Sequence, residues 1–314
     1  MEAVLRYDGA SDRDDVTPSA RLQLVREATA SVVAGAVMDV ETAGRLIQPE
    51  LESYGEVIAA VEQNVAGLLV RGEGESFTER VGELMEAWGM SDEARRYHRH
   101  LAAAFEHKRV FLKLEWCEVD CRVERQIAVY YRRRPHVHEA LQILTRFAGY
   151  GLSVDALREL GSILGKDTVH FVAFTARPDR PLWHKFYFSQ YVTAESYARV
   201  EARLQRAAGC TTASSGSVAR WTVYQDRLAP PYRPCTLFVS RAISEDGVDD
   251  SIKIDYPEVP PVIAAGLLDG AEAERAGSRL RRLCDAAGRQ ALSYLGVRIG
   301  AGSRLVLKGY ADFP

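Results

Sequence analysis

What this 314-residue chain lacks narrows its class early. It has no run of 18 or more apolar residues, and its longest mild run, Val32 to Val37, is rich in Ala and Gly. A membrane-spanning helix needs about 20 such residues. No apolar stretch follows a basic start, so no signal peptide is read and a soluble, cytoplasmic protein is expected. Charge of one sign is also missing: 40 Lys and Arg against 43 Asp and Glu leave a formal charge of -3. That balance gives no pull toward nucleic acid or an anionic membrane, so any anion site must be a local concentration of charge. Cysteine is scarce. The odd set Cys117, Cys121, Cys210, Cys235 and Cys284 is too loosely spaced for a disulfide scaffold, and no CxxC pair or histidine cluster completes a zinc site. Buried free thiols are expected instead.

Familiar catalytic motifs are absent as well. There is no GxxxxGK[ST], and no GxGxxG opens a strand–helix unit; Gly300 to Gly302 turns a hairpin. There is no GxSxG elbow. The seven histidines show no HExxH or other metal spacing, and His136 and His138 sit beside a turn at the surface. No paired aspartates of DDxxD type open a helix, and Asp249, Asp250 and Asp255 are too loosely placed to assert a metal.

What is present is a hydrophobic content of 47%, ample for a real core, and a change of pattern near Val110. Residues 1–109 read as a mainly helical region, packed on or beside the rest, with helical stretches at 19–35, 39–49, 51–68, 75–89 and 91–108. Pro49 is placed to start the helix beginning near Glu50. From 110 to 314 the order strand, strand, helix, helix recurs. Strands are expected at 111–119, 125–132, 169–176, 183–191, 218–225, 235–243, 251–256, 290–299 and 303–311, with an acidic loop from Glu245 to Asp250. Helices are expected at 137–148, from Ser153 to about Leu164, from Thr193 to Gly209, and at 260–268 and 271–287. Local hairpins imply antiparallel pairing, and closure of such a sheet would remove its edges. The fold class is therefore α+β, an antiparallel barrel of repeated ββαα units surrounded by helices. An open sheet with one solvated face is the alternative that alternation leaves standing.

Residues two apart in a strand share a face. Lys185 then points with Tyr187, Arg220 with Thr222 and Tyr224, and Arg304 with Lys308 and Tyr310, while Phe186, Phe188, Leu305 and Leu307 take the opposite face. Cations interleaved with phenols suggest a cavity for a large anion with an apolar portion. The candidate anion set is Lys113, Arg125, Lys185, Arg233, Lys253, Arg304 and Lys308. Arginine offers bidentate forks, lysine a point charge and tyrosine a neutral donor. Arg132 to Arg134 reads as a solvated charge run. The candidate aromatic wall is Trp116, Tyr131, Phe174, Trp183, Tyr187, Trp221, Tyr224, Tyr256 and Tyr294. Such rings can stack on an aromatic molecule or stabilise a cation, and each can equally be core. Glu115 or Glu118, if turned inward, is a candidate base. His184 falls on the face opposite Lys185 and is not assigned to the site.

Three stretches resemble the soluble aromatic prenyltransferases of the ABBA, or PT-barrel, family: Lys185 to Ser189 leading into the helix from Thr193, Trp221 to Tyr224 followed by Arg233 and Cys235 to Ser240, and Gly302 to Val306 followed by Lys308, Gly309 and Tyr310. A fainter likeness covers Arg125 to Tyr131, and together they span about 110–311. The resemblance implies a barrel that holds dimethylallyl or geranyl diphosphate and transfers its prenyl group to an electron-rich aromatic molecule, or to a peptide side chain. It implies diphosphate roles for Arg125, Tyr224, Arg233 and Arg304, diphosphate contact and shielding by Lys185 and Tyr187, and a further place for Lys253. Glu115, Arg233 and Tyr224 are the catalytic candidates; Lys113, Tyr256 and Lys308 join the binding set. No required cofactor is expected, with Mg2+ possible, and the partners expected are small molecules, with the chain monomeric or homodimeric. A noncatalytic binder of an isoprenoid-like anion is the alternative function.

Overall fold

The structure is a computed structural model describing residues 36–51, 55–60, 65–106, 108–119, 122–132, 134–148, 155–193, 195–209, 235–268, 270–299 and 306–312, with scattered positions between 22 and 33. Its strands are β1 Gly55–Ala60, β2 Val65–Gly72, β3 Val110–Val119, β4 Arg122–Tyr131, β5 Phe171–Ala176, β6 Trp183–Val192, β7 Cys235–Ser244, β8 Gly247–Val259, β9 Leu292–Ile299 and β10 Val306–Asp312. Each pairs antiparallel with its sequence neighbour, and β1 pairs with β10 to close the barrel. Helices are α1 Val37–Leu51, α2 Glu75–Ala87, α3 Asp92–Ala104, α4 Val137–Ala148, α5 Asp155–Leu164, α6 Tyr197–Gly209, α7 Pro261–Ala265 and α8 Gly270–Ala286. The open-sheet alternative is thereby excluded.

The barrel begins earlier than the sequence reading had it. The stretch 51–68, expected as helix, holds the tip of α1, the strand β1 and the first half of β2, so the helical region 1–109 also supplies the first hairpin. Its residues explain the miss: Gly55 to Ala60 and Val65 to Gly72 are rich in Ala, Gly and Leu with little polar alternation. β2 is buried on almost every residue, and a short apolar run buried on both faces has no period that separates strand from helix. Pro49 does not start a helix; it lies inside α1 near its end, where it removes one intrahelical hydrogen bond just before the helix stops. The acidic stretch 245–250 is also shorter as a loop than expected, since β8 begins at Gly247, whose φ of 127° suits glycine in the tight turn. The expected strand at 218–225 lies outside the described residues.

Helices return the chain from one hairpin to the next and cover the outer face. Their starts follow local chemistry: the Ser91 hydroxyl accepts from Ala94 N at the head of α3. Ahead of α6, Thr193 and Ser196 exchange backbone-to-side-chain bonds. The outer face of the strands is apolar and buried, with Trp116, Tyr131, Phe174, Phe186 and Phe188 fully covered; each such side chain contributes about 2–3 kcal/mol by burial. A polar bond fixes the helix layer in register. The Tyr131 hydroxyl lies 2.7 Å from His98 Nδ1, and His98 Nε2 lies 2.9 Å from the Thr78 carbonyl, tying β4 to α3 and α2. His184 also faces outward, its ring 4.9 Å from that of Tyr97, and burial pushes it down to about 4, so it is neutral packing.

Candidate functional site

The register that sends Tyr131, Phe174 and His184 outward sends the alternate residues into the lumen. β3 contributes Phe111, Lys113 and Glu115, which pair with Tyr130, Ala128 and Gln126 of β4. β6 contributes Lys185 and Tyr187, opposite Ala242 and Ser240 of β7. Lys253 and Asp255 of β8 oppose Arg298 and Gly296 of β9, and Lys308 and Tyr310 follow on β10. Four predicted cations, Lys113, Lys185, Lys253 and Lys308, thus come together on strands far apart in sequence.

Two of them hold a carboxylate. Lys113 Nζ lies 2.9 Å and Lys308 Nζ 2.5 Å from the two oxygens of Glu115, and Gln126 donates to the same group at 2.6 Å. Burial opposes the charge on Glu115, but the two ammonium groups outweigh it and hold the carboxyl well below the usual range. Lys253 lies 2.5 Å from Asp255 and donates to the Tyr310 hydroxyl at 2.9 Å. Burial works against its charge too, yet Asp255 and the nearby phenols raise it well above the ordinary lysine value. Gly296 makes this pair possible, since a Cβ there would stand 2.5 Å from Lys253 Cε. Lys185 differs. Burial, then repulsion from Lys113, Arg298, Lys253 and Lys308, pushes it well below its ordinary value, and among the described residues no carboxylate pairs with it.

Lys113 is pushed down to about 7, chiefly by burial; Glu115 pulls the other way and Lys308 and Lys253 add to the fall. A bound polyanion would favour the charged lysines, so above about pH 7 its binding must take up protons. We expect affinity for an organic diphosphate to weaken as pH rises from about 7 to 9. Calorimetry in buffers of different ionisation heat should show net proton uptake near pH 8, and its absence would contradict this reading of the lysines.

Beside this layer runs an aromatic collar. Phe171 stands 5.5 Å from Phe111, 6.1 Å from Tyr187 and 5.8 Å from Phe238, whose ring is 5.8 Å from Tyr294. Tyr130 packs 5.5 Å from Tyr187. Of the expected aromatic wall, Trp183, Tyr187 and Tyr294 have inward register, while Trp116, Tyr131, Phe174 and Tyr256 face outward into the core. Tyr256 therefore does not join the site: its neighbours Asp255 and Lys253 have the inward register, and strand alternation turns it away. Phe111, Tyr130, Phe171, Phe238 and Arg298 were not singled out from the sequence.

Arg125 is a second correction. It lies on the outward register of β4, where its guanidinium forks onto Asp39 of α1 at 2.7 and 2.8 Å. Replacing it with glutamine is expected to leave diphosphate affinity within about twofold and to lower stability by about 1 kcal/mol, the scale of a partly exposed bidentate pair; chemical denaturation and calorimetry read the two. Glu118 is exposed and outside as well. Arg220, Trp221, Tyr224, Arg233 and Arg304 lie outside the described residues. Among the described residues no three His, Cys, Asp or Glu side chains converge as a metal site, and no described helix is long and apolar enough to cross a membrane.

No protein-family model matches the sequence, and a search of curated proteins found no match. Solved structures do match the fold. A 5-dimethylallyl tryptophan synthase from Streptomyces coelicolor, solved with DMASPP and Trp, superposes at a TM-score of 0.62 with 14% identity, over 94% of each chain. PriB with product diphosphate gives 0.60 and 14%, over 93% of this chain and 95% of its own. NotF prenyltransferase in complex with brevianamide F and DMSPP gives 0.61 and 10%, over 98% and 97%. The fold is thus the PT barrel of the ABBA prenyltransferases, a closed ten-stranded antiparallel barrel within a shell of helices.

Proposed function

We propose that this chain transfers an isoprenyl group from an allylic diphosphate, dimethylallyl or geranyl, to an electron-rich aromatic acceptor and releases diphosphate. The observation that carries this reading is the inward-facing quartet Lys113, Lys185, Lys253 and Lys308 beside an aromatic collar, with Glu115 among the lysines. The ammonium groups would hold the diphosphate and stabilise the charge that builds on it as the C–O bond breaks. The phenols and phenyl rings would shield the allylic cation from water and favour it through their faces. The acceptor ring, stacked in the collar, attacks the allylic carbon, and the ring proton lost on rearomatisation leaves with the diphosphate. That solved structures with the same fold hold diphosphate, a thiolodiphosphate or tryptophan supports this arrangement.

Glu115 favours catalysis over simple binding. A carboxylate buried in an anion site weakens anion binding, so a pure binding protein gains nothing from it. Held ionised, Glu115 is a weak proton acceptor; its proposed part is to accept the N–H or O–H of the acceptor and to offset the positive charge that develops on the attacked ring. Tyr224, Arg233 and Arg304 remain proposed diphosphate ligands on the resemblance alone.

The test is to incubate the purified chain with dimethylallyl or geranyl diphosphate and a panel of phenols, indoles and naphthoquinols, with magnesium and with EDTA. Mass spectrometry should find a product heavier by one C5 or C10 unit that depends on the acceptor. Binding of donor without any transfer would instead support the noncatalytic reading, and the EDTA arm decides whether Mg2+ is needed.

A further inference from the structure

The lysine layer does not balance its own charge. Five bases gather there, Lys113, Lys185, Lys253, Arg298 and Lys308, and the carboxylates among them are Glu115, Asp255 and Asp249. Each carboxylate is already engaged. Glu115 holds both Lys113 and Lys308, and Asp255 holds Lys253. Asp249 accepts from the Ser251 hydroxyl at 2.6 Å and from the Ser251 backbone at 2.9 Å, and its other oxygen lies 3.7 Å from Arg298. Lys185 is the base left over, and among the described residues no carboxylate pairs with it. It also has space around it. The residues opposite Lys185 on the two neighbouring strands are Ala173 and Ala242, whose methyl groups leave the flanks of the amine open. The hollow beside it is lined by Ser240, Ser251, Lys253 and Arg298 and has room for a molecule about the size of water.

We infer that Lys185 is a site of reversible carbamylation: its Nζ adds carbon dioxide, and the carbamate so formed lies in the hollow against Lys253 and Arg298. The Nζ lone pair forms the N–C bond, and one C–O π bond of carbon dioxide breaks onto its oxygen. The nitrogen then releases one proton to solvent, so atoms and charge balance with no redox partner. The change removes one cation and adds one anion, which leaves four bases facing four carboxylates. Attack needs the neutral amine, and burial together with the surrounding cations favours that form. The product needs counter-charge, and the same cations supply it; in a partly desolvated site that attraction is far stronger than in water. The carbamate occupies the layer proposed for the diphosphate, so donor and carbon dioxide exclude each other. That consequence rests on the transfer reading, whereas the modification stands on the charge balance of the lumen.

The full chain should be equilibrated with isotopically labelled carbon dioxide and, in parallel, under nitrogen, at matched pH and ionic strength. Carbon NMR should show a bound carbamate carbonyl, and trapping with triethyloxonium followed by peptide mapping should place it on Lys185. At a fixed pressure of carbon dioxide the signal should grow from about pH 6.5 to about pH 8, since each addition releases a proton. Calorimetry with dimethylallyl S-thiolodiphosphate should find an apparent affinity about threefold to tenfold weaker under carbon dioxide, the loss expected when about 10–30% of the chain stays unmodified. K185R keeps a cation but lacks the amine, and should lose both effects; K185Q repeats the test with a smaller side chain. Absence of a trapped carbamate on the unaltered chain would overturn the proposal, as would a carbamate mapped only to other amines. A fall in donor affinity that persists in K185R would mean bicarbonate bound as a free anion, and overturns it too. The two claims separate cleanly. A carbamate on Lys185 in a chain that does not bind the donor analogue under nitrogen leaves the modification standing and the transfer reading without support. An analogue bound equally under both gases, with nothing trapped, does the reverse.

Discussion

Glu115→Gln is expected to lower kcat for prenyl transfer by about 10²–10³-fold while donor binding stays the same or tightens. The two effects have opposite signs because the carboxylate has opposite relations to the two substrates. It sits 2.5 Å from Lys308 and 2.9 Å from Lys113, so it spends positive charge that a diphosphate would otherwise meet. Toward the acceptor it supplies a negative charge close to where a cationic ring would form. Glutamine keeps the shape and one acceptor atom but removes that charge. Single-turnover product formation, set beside calorimetry with a thiolodiphosphate analogue, reads both. A fall in affinity with kcat unchanged would make Glu115 a structural counter-ion for the lysines and remove it from the chemistry.

Lys185→Gln is the second large effect, and it too splits. The ammonium of Lys185 is half-buried among four other cations with no acidic partner among the described residues, an arrangement that destabilises the empty barrel. Removing it should raise Tm by roughly 1–2 °C, the shift that about 1 kcal/mol brings in a chain of 314 residues. The same change should weaken donor binding by about tenfold to a hundredfold, since a lysine without a partner in the empty site has most to gain from an anion. A trade of stability against function is what a ligand site built from like charges predicts. Lys253→Gln makes the contrast: Lys253 is already paired with Asp255, so its loss should lower Tm. If Lys185→Gln destabilised the fold instead, the lysine would have a partner of its own and the empty site would not be waiting for an anion.

Much of this arrangement was legible from alternation alone. Lys185 and Tyr187 do share the lumen, and Phe186 and Phe188 do face the helices, because β6 alternates polar with apolar and only one face can be buried in the shell. Lys308 with Tyr310 is read the same way. Alternation fails where both faces are greasy. β5 reads Phe171, Val172, Ala173, Phe174, and nothing local says which phenylalanine enters the lumen; Phe174 was chosen and Phe171 lines it. In β4 the adjacent Tyr130 and Tyr131 pose the same problem. Partnership is also invisible in one dimension. Glu115 and Lys308 are 193 residues apart, and Arg125 and Asp39 are 86, so only the register of the closed sheet shows that the first pair meets in the lumen and the second outside it. The first hairpin was missed because its residues fit helix and strand equally and are committed by pairing with β3 and β10.

The central claim is that the lysine layer is an allylic diphosphate site, and a crystal structure with dimethylallyl S-thiolodiphosphate tests it most directly. The account predicts diphosphate oxygens within about 3 Å of the Nζ atoms of Lys185, Lys253 and Lys308, with the dimethylallyl group turned toward Phe171 and Tyr187. Density for the diphosphate elsewhere on the chain, with the lysine layer empty, would contradict it.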